Sequence, residues 1–333
     1  MIRPLAVSLG DPAGVGPELI AEAYVRRNEE RLPPFFVCGG FGTVPEAAQK
    51  RGHSFPVVFL DRPPTAREDF QHGLPFVGDM SAGYHPGVPD ETSGWLALES
   101  LKLATRLAVD GSAGALVTGP IAKAELAKVG FDFPGQTEFV ADACGVPADD
   151  AVMMLAGPQL RAVPMTVHCA LAEVPGLLTI ELICRRIRIV DAAIRRDLGI
   201  ASPRIAVCGL NPHAGEKGRM GREEIEIIKP ALAALRADGI DATGPHPADT
   251  LFAPHLRPTY DVAIAMYHDQ ALIPIKALDF DQGVNVTLGL PIVRTSPDHG
   301  TAFDIAGKGI ADPGAMIAAI RMAGEMAARR AKR

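Results

Sequence analysis

Three histidines lie at the ends of apolar segments that have the composition of buried β-strands. His268 ends the apolar run within residues 261–270, His168 ends the run within 161–168, and His213 lies just beyond the run that begins at residue 204. In open α/β sheets ligands gather at the carboxyl ends of the strands, so side chains placed there can converge. Neutral imidazoles are common ligands of divalent metals. The sequence therefore predicts that these three histidines share one metal ion.

The alternative is that each histidine is an ordinary hydrogen-bonded core or surface residue, which is the commoner case for any one of them. Three histidines at strand ends favour the shared site. An ion of the Zn²⁺ class with an open position can bind an alcohol oxygen and stabilise the charge that develops as hydride leaves carbon. Asp249 and Asp269 are the candidates for orienting the ligands or relaying the proton.

Two cations are candidates for binding an anionic substrate. Lys276 ends a predicted helical turn after His268, and Arg294 follows the strand-like stretch that carries Asn285. A surface salt bridge is the alternative, but Arg294 lies in a largely apolar run, where an unpaired guanidinium would be costly. Lysine and arginine together suit a phosphate or a carboxylate.

Glycine-rich turns mark three further candidate sites. Residues 10–18 (GDPAGVGPE) form a strand-to-helix turn with free backbone N–H groups, although the order of its glycines is not the G-x-G-x-x-G dinucleotide fingerprint. A structural turn explains these glycines, but it explains Asp11 and Glu18 less well. The basic loop 214–222 is compatible with an anion site or with a mobile surface loop. The loop 296–313 is long, and such loops inside compact domains are usually functional.

The remaining pattern alternates strands with helices. Strands are predicted at 4–9, 35–38, 57–60, 114–117, 152–155 and 162–167, and helices at 17–25, 93–109, 178–198, 223–238 and 314–330. The alternation as far as residue 117 indicates a parallel α/β fold. Thr137 is predicted either to cap a helix that begins beside it or to contact a substrate.

Composition excludes several classes of protein. The chain has 333 residues, 47% of them hydrophobic and 22% charged, with a formal net charge of -6, so the basic surface of a nucleic-acid-binding protein is missing. No apolar run approaches the ~20 residues needed to span a bilayer, and the N-terminal residues lack the pattern of a signal peptide. We therefore expect a cytoplasmic protein. Its five cysteines show no CxxC pairing and are expected to be reduced, with Cys169 more easily explained as a packed thiol than as a nucleophile.

Several motifs together resemble one family. They are residues 10–18 (GDPAGVGPE), 118–123 (TGPIAK), 135–138 (GQTE), 211–216 (NPHAGE), 267–270 (YHDQ) and 283–291 (GVNVTLGLP). In combination, and over nearly the whole chain, they resemble the 4-hydroxythreonine-4-phosphate dehydrogenases of pyridoxal phosphate biosynthesis. One position departs from the family pattern, because members often have histidine where this chain has Gln136. A titratable role at that position would be lost.

The resemblance implies a two-lobed α/β/α sandwich of the isocitrate/isopropylmalate dehydrogenase type. It implies a homodimer with its active sites in the interdomain cleft at the subunit interface. A cofactor-side domain is expected at 1–138 plus 286–333, and a metal and dimerisation domain at 139–285. The ion would be Zn²⁺, Mg²⁺ or Co²⁺, with one histidine reaching across from the partner subunit.

The resemblance also assigns roles to individual residues. Substrate contacts fall on Gln136, Thr137, Lys276, Asn285 and Arg294. Independently of the resemblance, we expect catalytic roles for Asp249, Asp269 and Lys276. The loop 299–313 looks like the adenosine-binding loop of isopropylmalate dehydrogenases, which assigns cofactor contacts to His299, Gly300 and Asp304. Because Asp304 would accept hydrogen bonds from the ribose hydroxyls and repel a 2′-phosphate, NAD is expected rather than NADP.

The implied reaction is oxidation of 4-phosphooxy-L-threonine to a β-keto acid that loses CO₂. Three alternatives remain open at this point. A sister dehydrogenase of a four-carbon sugar-acid phosphate, such as threonate or erythronate phosphate, would share the metal, the cofactor and the fold. A phosphotransacylase would need no metal and would bind coenzyme A. A non-catalytic metal-binding protein would leave the cofactor loop and the two cations without a use.

Overall fold

The computed structural model describes residues 3–64 and 67–332. It divides into two compact units, the first made of residues up to Ala151 together with those from Leu290 onward, and the second of Val152–Gly289. The sequence placed the boundaries at 138/139 and 285/286. The first boundary falls later because Val140, Ala141 and Ala151 are buried in the core of the first unit together with Leu290.

The strands, in chain order, are β1 (Leu5–Ser8), β2 (Phe35–Cys38), β3 (Val57–Leu60), β4 (Leu74–Val77), β5 (Leu116–Thr118), β6 (Val152–Ala156), β7 (Arg161–Pro164), β8 (Ile205–Cys208), β9 (Ala242–His246), β10 (Val262–Ala265), β11 (Val284–Leu288) and β12 (Arg294–Pro297). The α-helices are α1 (Gly16–Val25), α2 (Thr43–Lys50), α3 (Arg67–His72), α4 (Glu91–Val109), α5 (Lys123–Lys128), α6 (Gln136–Ala143), α7 (Val174–Leu177), α8 (Ile180–Ala193), α9 (Lys229–Ala237), α10 (Ala248–Leu251), α11 (His268–Asp279) and α12 (Gly314–Arg330). The predicted α/β class is confirmed.

The first unit is built on a parallel sheet with the strand order β3-β4-β2-β1-β5-β12. The apolar run of β1 is completely buried, as expected for a central strand covered on both faces. β3 is the edge strand of this unit, and Val57 and Phe59 are about half exposed there. The polar groups that follow β1 and β5 therefore leave from the carboxyl ends of neighbouring parallel strands.

The second unit, unlike the first, is not purely parallel. Its strand order is β11-β6-β7-β10-β8-β9, in which β6 runs antiparallel to both β11 and β7. The connection from β6 to β7 is only residues 157–160, with the Gly157 N–H bonded to the Leu160 carbonyl at 2.9 Å. A parallel pair needs a crossover of a dozen residues or more, so a link this short forces the hairpin.

Two predicted helices have different ends in the structure. The helix predicted at 178–198 starts as α8, widens into a π-helical turn over Ile194–Leu198, and stops at Gly199, whose φ of 73° is a left-handed helix cap. The helix that was expected to begin beside Thr137 is α6, and Gly135 precedes it without a side-chain cap. Thr137 lies inside the first turn and caps nothing, so the capping explanation was wrong. In the described part of the chain no helix is both long and apolar enough to cross a membrane.

Candidate active site

Arg294 opens β12 of the first unit and is almost completely buried, with 4% exposure. Its Nη2 donates a hydrogen bond to Oγ1 of Thr118 at 2.8 Å and approaches Oε1 of Gln136 at 3.4 Å, while Nη1 lies 3.5 Å from Oγ1 of Thr137. Gln136 is fixed in turn, because its Nε2 donates to the Gly119 carbonyl at 2.9 Å. The structure thus brings three of the predicted substrate residues together and adds Thr118, which the sequence analysis named only as part of the motif 118–123.

The pKa of the Arg294 guanidinium is affected by burial and by a nearby carboxylate. Burial lowers the pKa of Arg294 to about 10, and the nearby negative charge of Glu138 acts in the opposite direction. A group with this pKa is a cation at neutral pH. Three neutral oxygens fix the plane of the cation, and a fixed planar fork is suited to bidentate contact with phosphate or carboxylate.

The turn 10–18 carries a buried carboxylate, Asp11. Its Oδ1 accepts the backbone N–H of Ala13 at 2.9 Å, and Oδ2 has no hydrogen-bond partner among the described residues. Burial raises the pKa of Asp11 to about 6; the Ala13 hydrogen bond lowers it, and the negative charges of Glu125 and Asp90 raise it. An Asp with such a pKa is an unusual choice for a purely structural turn.

The predicted cofactor loop packs against this turn within the first unit. The Val15 N–H bonds to the Thr301 carbonyl at 2.9 Å, and the Gly307 N–H bonds to Oε1 of Glu18 at 3.0 Å. The other oxygen of Glu18 accepts from Nη1 of Arg51 at 3.1 Å. Glu18 therefore has a definite role, which is to tie the start of α1 to the loop.

The predicted cofactor residues lie at the surface end of that loop. Nδ1 of His299 is 2.9 Å from the Gly300 carbonyl, while its Nε2 is buried and lacks a partner among the described residues. Asp304 is exposed. A cavity of about 140 Å³ lies beside the same turn and is lined in part by Pro12, Ala13 and Asp90.

The second unit brings two of the three predicted metal ligands together. The rings of His168 and His268 are 5.7 Å apart between centroids, and both line a cavity of about 270 Å³. Cys169, Tyr267 and Asp269 line it as well. Cys169 is half-buried at this cavity, so it is less closely packed than the sequence suggested. His268 is fixed by its neighbour, because Nδ1 lies 2.7 Å from Oδ1 of Asp269.

His213 does not line that cavity. It is exposed and opens a turn of unusual backbone conformation, with φ 52° and ψ 31°. His168 also has a positive φ, of 49°. Non-glycine residues are uncommon in this region, and such outliers gather at functional sites. Among the described residues of one chain, no group of three or more His, Cys, Asp or Glu side chains is arranged to hold a metal ion.

The other predicted residues of the second unit are more dispersed. Asp249 is exposed on α10 and is absent from the lining of the cavity that holds His168 and His268. Lys276 is half-buried near the end of α11, and Asn285 is half-buried in β11 opposite Leu155.

Comparison with known proteins identifies the family. The chain matches the family described as "Pyridoxal phosphate biosynthetic protein PdxA" over residues 36–323. A 4-hydroxythreonine-4-phosphate dehydrogenase of Erythrobacter litoralis is 62% identical over 329 residues, which cover 99% of this chain and 98% of the relative. The crystal structure of a 4-hydroxythreonine-4-phosphate dehydrogenase from Klebsiella pneumoniae has a TM-score of 0.86 at 37% identity, covering 98% of this chain and 99% of that one.

A second kind of enzyme overlays less closely. The structure of a terephthalate 1,2-cis-dihydrodiol dehydrogenase from Burkholderia xenovorans has a TM-score of 0.66 at 30% identity and covers 97% of this chain and 99% of that one. The family match extends over most of the chain. The relatives with higher sequence identity than this neighbour are 4-hydroxythreonine-4-phosphate dehydrogenases. The resemblance seen in the sequence motifs is therefore confirmed, and this chain belongs to the PdxA family of pyridoxal phosphate biosynthetic proteins.

Proposed function

We propose that this oxidoreductase of pyridoxal phosphate biosynthesis oxidises the C3 hydroxyl of 4-phosphooxy-L-threonine, with NAD⁺ accepting the hydride. The product, 2-amino-3-oxo-4-phosphooxybutanoate, is a β-keto acid that loses CO₂ to give 3-amino-2-oxopropyl phosphate. The observation that carries the proposal is the buried, oriented guanidinium of Arg294 in a chain of this family. A phosphate is the group of the substrate that such a cation would bind.

In the first unit, Arg294 would bind the phosphate through its planar fork, with Thr137 and the Gln136 amide as neighbouring hydrogen-bonding groups. Gln136 cannot gain or lose a proton near neutral pH, so substrate binding through this position would not titrate there. Lys276 and Asn285 are proposed as further substrate contacts from the second unit, on the strength of the family motifs alone.

The residues of the second unit fit a divalent metal. His168 and His268 lie side by side, and the contact between Asp269 and Nδ1 of His268 leaves Nε2 available as a ligand, which is the usual way a carboxylate orients a metal-binding imidazole. When bound, the ion would supply Lewis-acid activation of the substrate hydroxyl. The imidazoles and the nearby Cys169 favour Zn²⁺ or Co²⁺ over Mg²⁺.

His213 is exposed and does not line that cavity, so we infer that it serves the metal of a second subunit. The protein would then be a homodimer with shared sites. Asp269 would orient His268, and Asp249 remains our candidate for accepting the proton of the hydroxyl. Both assignments rest on the sequence motifs and on the position of Asp269 beside His268.

The first unit fits a nicotinamide cofactor along the loop that follows β12. Nε2 of His299, which is buried and has no hydrogen-bond partner in the described part of the chain, is a group that a ligand can satisfy. Gly300 has open space where a side chain would be, and Asp304 is exposed, so neither residue obstructs a bound nucleotide. An aspartate that accepts hydrogen bonds from the ribose hydroxyls would repel a 2′-phosphate, which favours NAD over NADP.

The central experiment measures NADH formation from 4-phosphooxy-L-threonine, with and without chelator, for the native protein and for His213→Ala. We expect activity that needs metal and is lost in the variant. Comparing kcat/KM with NAD⁺ and NADP⁺ tests the role of Asp304. A clear preference for NADP⁺ would contradict that role.

The same assay separates the alternatives. Faster turnover of threonate or erythronate phosphate would identify a sister sugar-acid phosphate dehydrogenase, and turnover of an aromatic cis-dihydrodiol would place the chain with its more distant structural neighbour. Full activity after metal removal, or binding of coenzyme A, would favour a phosphotransacylase. Metal binding with no turnover of any of these substrates would favour a non-catalytic protein.

A further inference from the structure

The segment that begins with His213 has a backbone that its own sequence does not favour. Five consecutive residues, His213 to Lys217, have φ angles of 52°, 50°, 75°, 41° and 60°. Only Gly215 is suited to this left-handed conformation, because in other L-residues Cβ comes too close to the carbonyl oxygen. Such a run persists only when the surrounding structure imposes it.

One buried carboxylate lies on the inside of this turn. Glu224 is 1% exposed, its Oε1 accepts the backbone N–H of Asn211 at 2.8 Å, and its Oε2 accepts from Nδ2 of Asn211 at 3.1 Å. The same Oε2 would lie only 2.4 Å from a Cβ at position 215. Glu224 therefore fills the space that Gly215 leaves free and fixes Asn211, two residues before His213.

The other side of the turn is closed by the end of β8. A Cβ at Gly209 would lie 2.9 Å from Cα of Ala214 and 3.1 Å from Oε1 of Glu224, so strand end, turn and carboxylate are in close contact. The Gly209 N–H is bonded to the His246 carbonyl at 2.8 Å, which anchors the strand end to β9. The turn is thus held between a rigid sheet edge and the carboxylate of Glu224.

We propose that Glu224 is a positioning residue for His213, holding the left-handed turn in the conformation that presents the imidazole to a metal. This inference rests on the proposed function, in which His213 is a ligand. It follows from the geometry of ligation, because a ligand has to be held within about 0.5 Å of its productive position by the groups around it. Glu224 touches the turn and no reacting atom.

The test is metal affinity, measured apart from turnover. Glu224→Gln keeps the size of the side chain but replaces an acceptor oxygen with an NH₂ group that faces the donors of Asn211. The full-length protein is stripped with chelator and titrated with Co²⁺, followed by its visible absorption. We expect the affinity to fall roughly 10- to 100-fold, the usual effect of removing a group that orients a ligand. Excess Co²⁺ should restore kcat/KM in Glu224→Gln.

Glu226→Gln is the matched control, because Glu226 lies two residues along, is exposed, and pairs with Arg222 at 2.5 Å. It should bind Co²⁺ like the native protein. Native affinity in Glu224→Gln, with affinity lost in His213→Ala, would overturn the role of Glu224 and leave the proposed function intact. Native affinity in His213→Ala would instead overturn the assignment of His213. If Glu224→Gln does not fold, Glu224→Asp is the second variant, because it shortens the side chain by one methylene and withdraws the carboxylate from the turn. We expect Glu224→Asp to show the same fall in Co²⁺ affinity. Native Co²⁺ affinity in Glu224→Asp would count against the proposal.

Discussion

Replacing Arg51 with methionine should destabilise the protein strongly, although Arg51 lies outside the residues assigned to catalysis. Its Nε donates to Oε1 of Glu22 at 2.8 Å and its Nη1 to Oε2 of Glu18 at 3.1 Å. The side chains of these carboxylates are 4% and 1% exposed, and that of Arg51 is 9% exposed. Methionine fills much of the same space but leaves two buried negative charges without this cation.

The expected loss is about 3 kcal/mol in the free energy of unfolding, since breaking a buried ion pair costs roughly 3–5 kcal/mol. The lower end applies because Glu22 keeps its contacts with Arg26 and His53, and Glu18 keeps the N–H of Gly307. For a unit of this size the loss corresponds to a fall in Tm of roughly 10 °C. Calorimetry or urea unfolding, with metal and ligands absent, measures it.

Arg26→Met is the matched control. Arg26 pairs with the same Glu22, at 3.1 Å, but its own side chain is 42% exposed, so its loss should cost no more than about 0.5 kcal/mol. Equal, small changes in both variants would refute the argument that burial determines the effect.

The pH dependence gives a second check on Arg51. Burial by itself would raise the pKa of Glu22, but hydrogen bonds from Arg51 and His53 outweigh it and hold the pKa below the ordinary value of 4.5. A depressed pKa contributes stability that is present above about pH 4.5 and is lost on acidification. The stability gap between the native protein and Arg51→Met should therefore narrow as the pH falls below 4.5. A gap that stays constant with pH would contradict the proposed coupling between Glu22 and Arg51.

Three further predictions follow from the site residues. Arg294→Met should raise KM for the phosphorylated substrate roughly 100-fold with little change in KM for NAD⁺. Arg294→Lys should recover only part of the loss, because lysine lacks the planar fork of the guanidinium. Steady-state kinetics with each substrate varied in turn measure both KM values, and an unchanged KM for the phosphorylated substrate would mean that the anion binds elsewhere. If His213 acts across a two-fold interface, co-expressed His168→Ala and His213→Ala chains should regain activity at about a quarter of their sites. Co-expressed His168→Ala and His268→Ala chains should regain none. Equal activity of the two mixtures would contradict an active site shared between subunits. Burial raises the pKa of Asp11 to about 6, so the stability that its neutral form contributes at low pH is lost as the pH rises through 6. The stability of Asp11→Asn relative to the native protein should therefore increase between about pH 4 and pH 6, by at most about 3 kcal/mol. Unfolding curves at pH 4 and pH 8 measure this difference, and an equal effect of the substitution at both pH values would refute the prediction.

The parts of this fold that the sequence predicted are those determined by local pattern. The run of β1 and the ends of β2, β3 and α12 follow directly from apolar periodicity and from the residues that break it. Arg294 was singled out because it stood in an apolar run, and it is buried beside Gln136 and Thr137 as that argument required. Pattern could not show that β3 would be an edge strand, because strand order depends on contacts between distant segments.

The parts that were missed depend on partners far away in the chain. The left-handed turn at His213 contains a single glycine, and the carboxylate that fills it comes from Glu224, thirteen residues after Asn211. The role of Glu18 depends on its ion pair with Arg51, which lies thirty-three residues later in the chain. Thr137 has the composition of a cap, yet Gly135 precedes the helix and Thr137 faces Arg294. Local sequence propensity does not predict any of these contacts.

The discontinuous first unit has a consequence for how the protein is made. β12 pairs with β5, α12 packs on β12, and the hydroxyl of Thr295 donates to the Ala319 carbonyl at 2.9 Å, so residues 290–332 complete a unit that contains the first strand. During synthesis the first unit could not close until residues 290–332 had been made, whereas Val152–Gly289 would already be fully synthesised. A premature stop that removes only α12 would therefore expose hydrophobic surface on the amino-terminal half and invite its degradation.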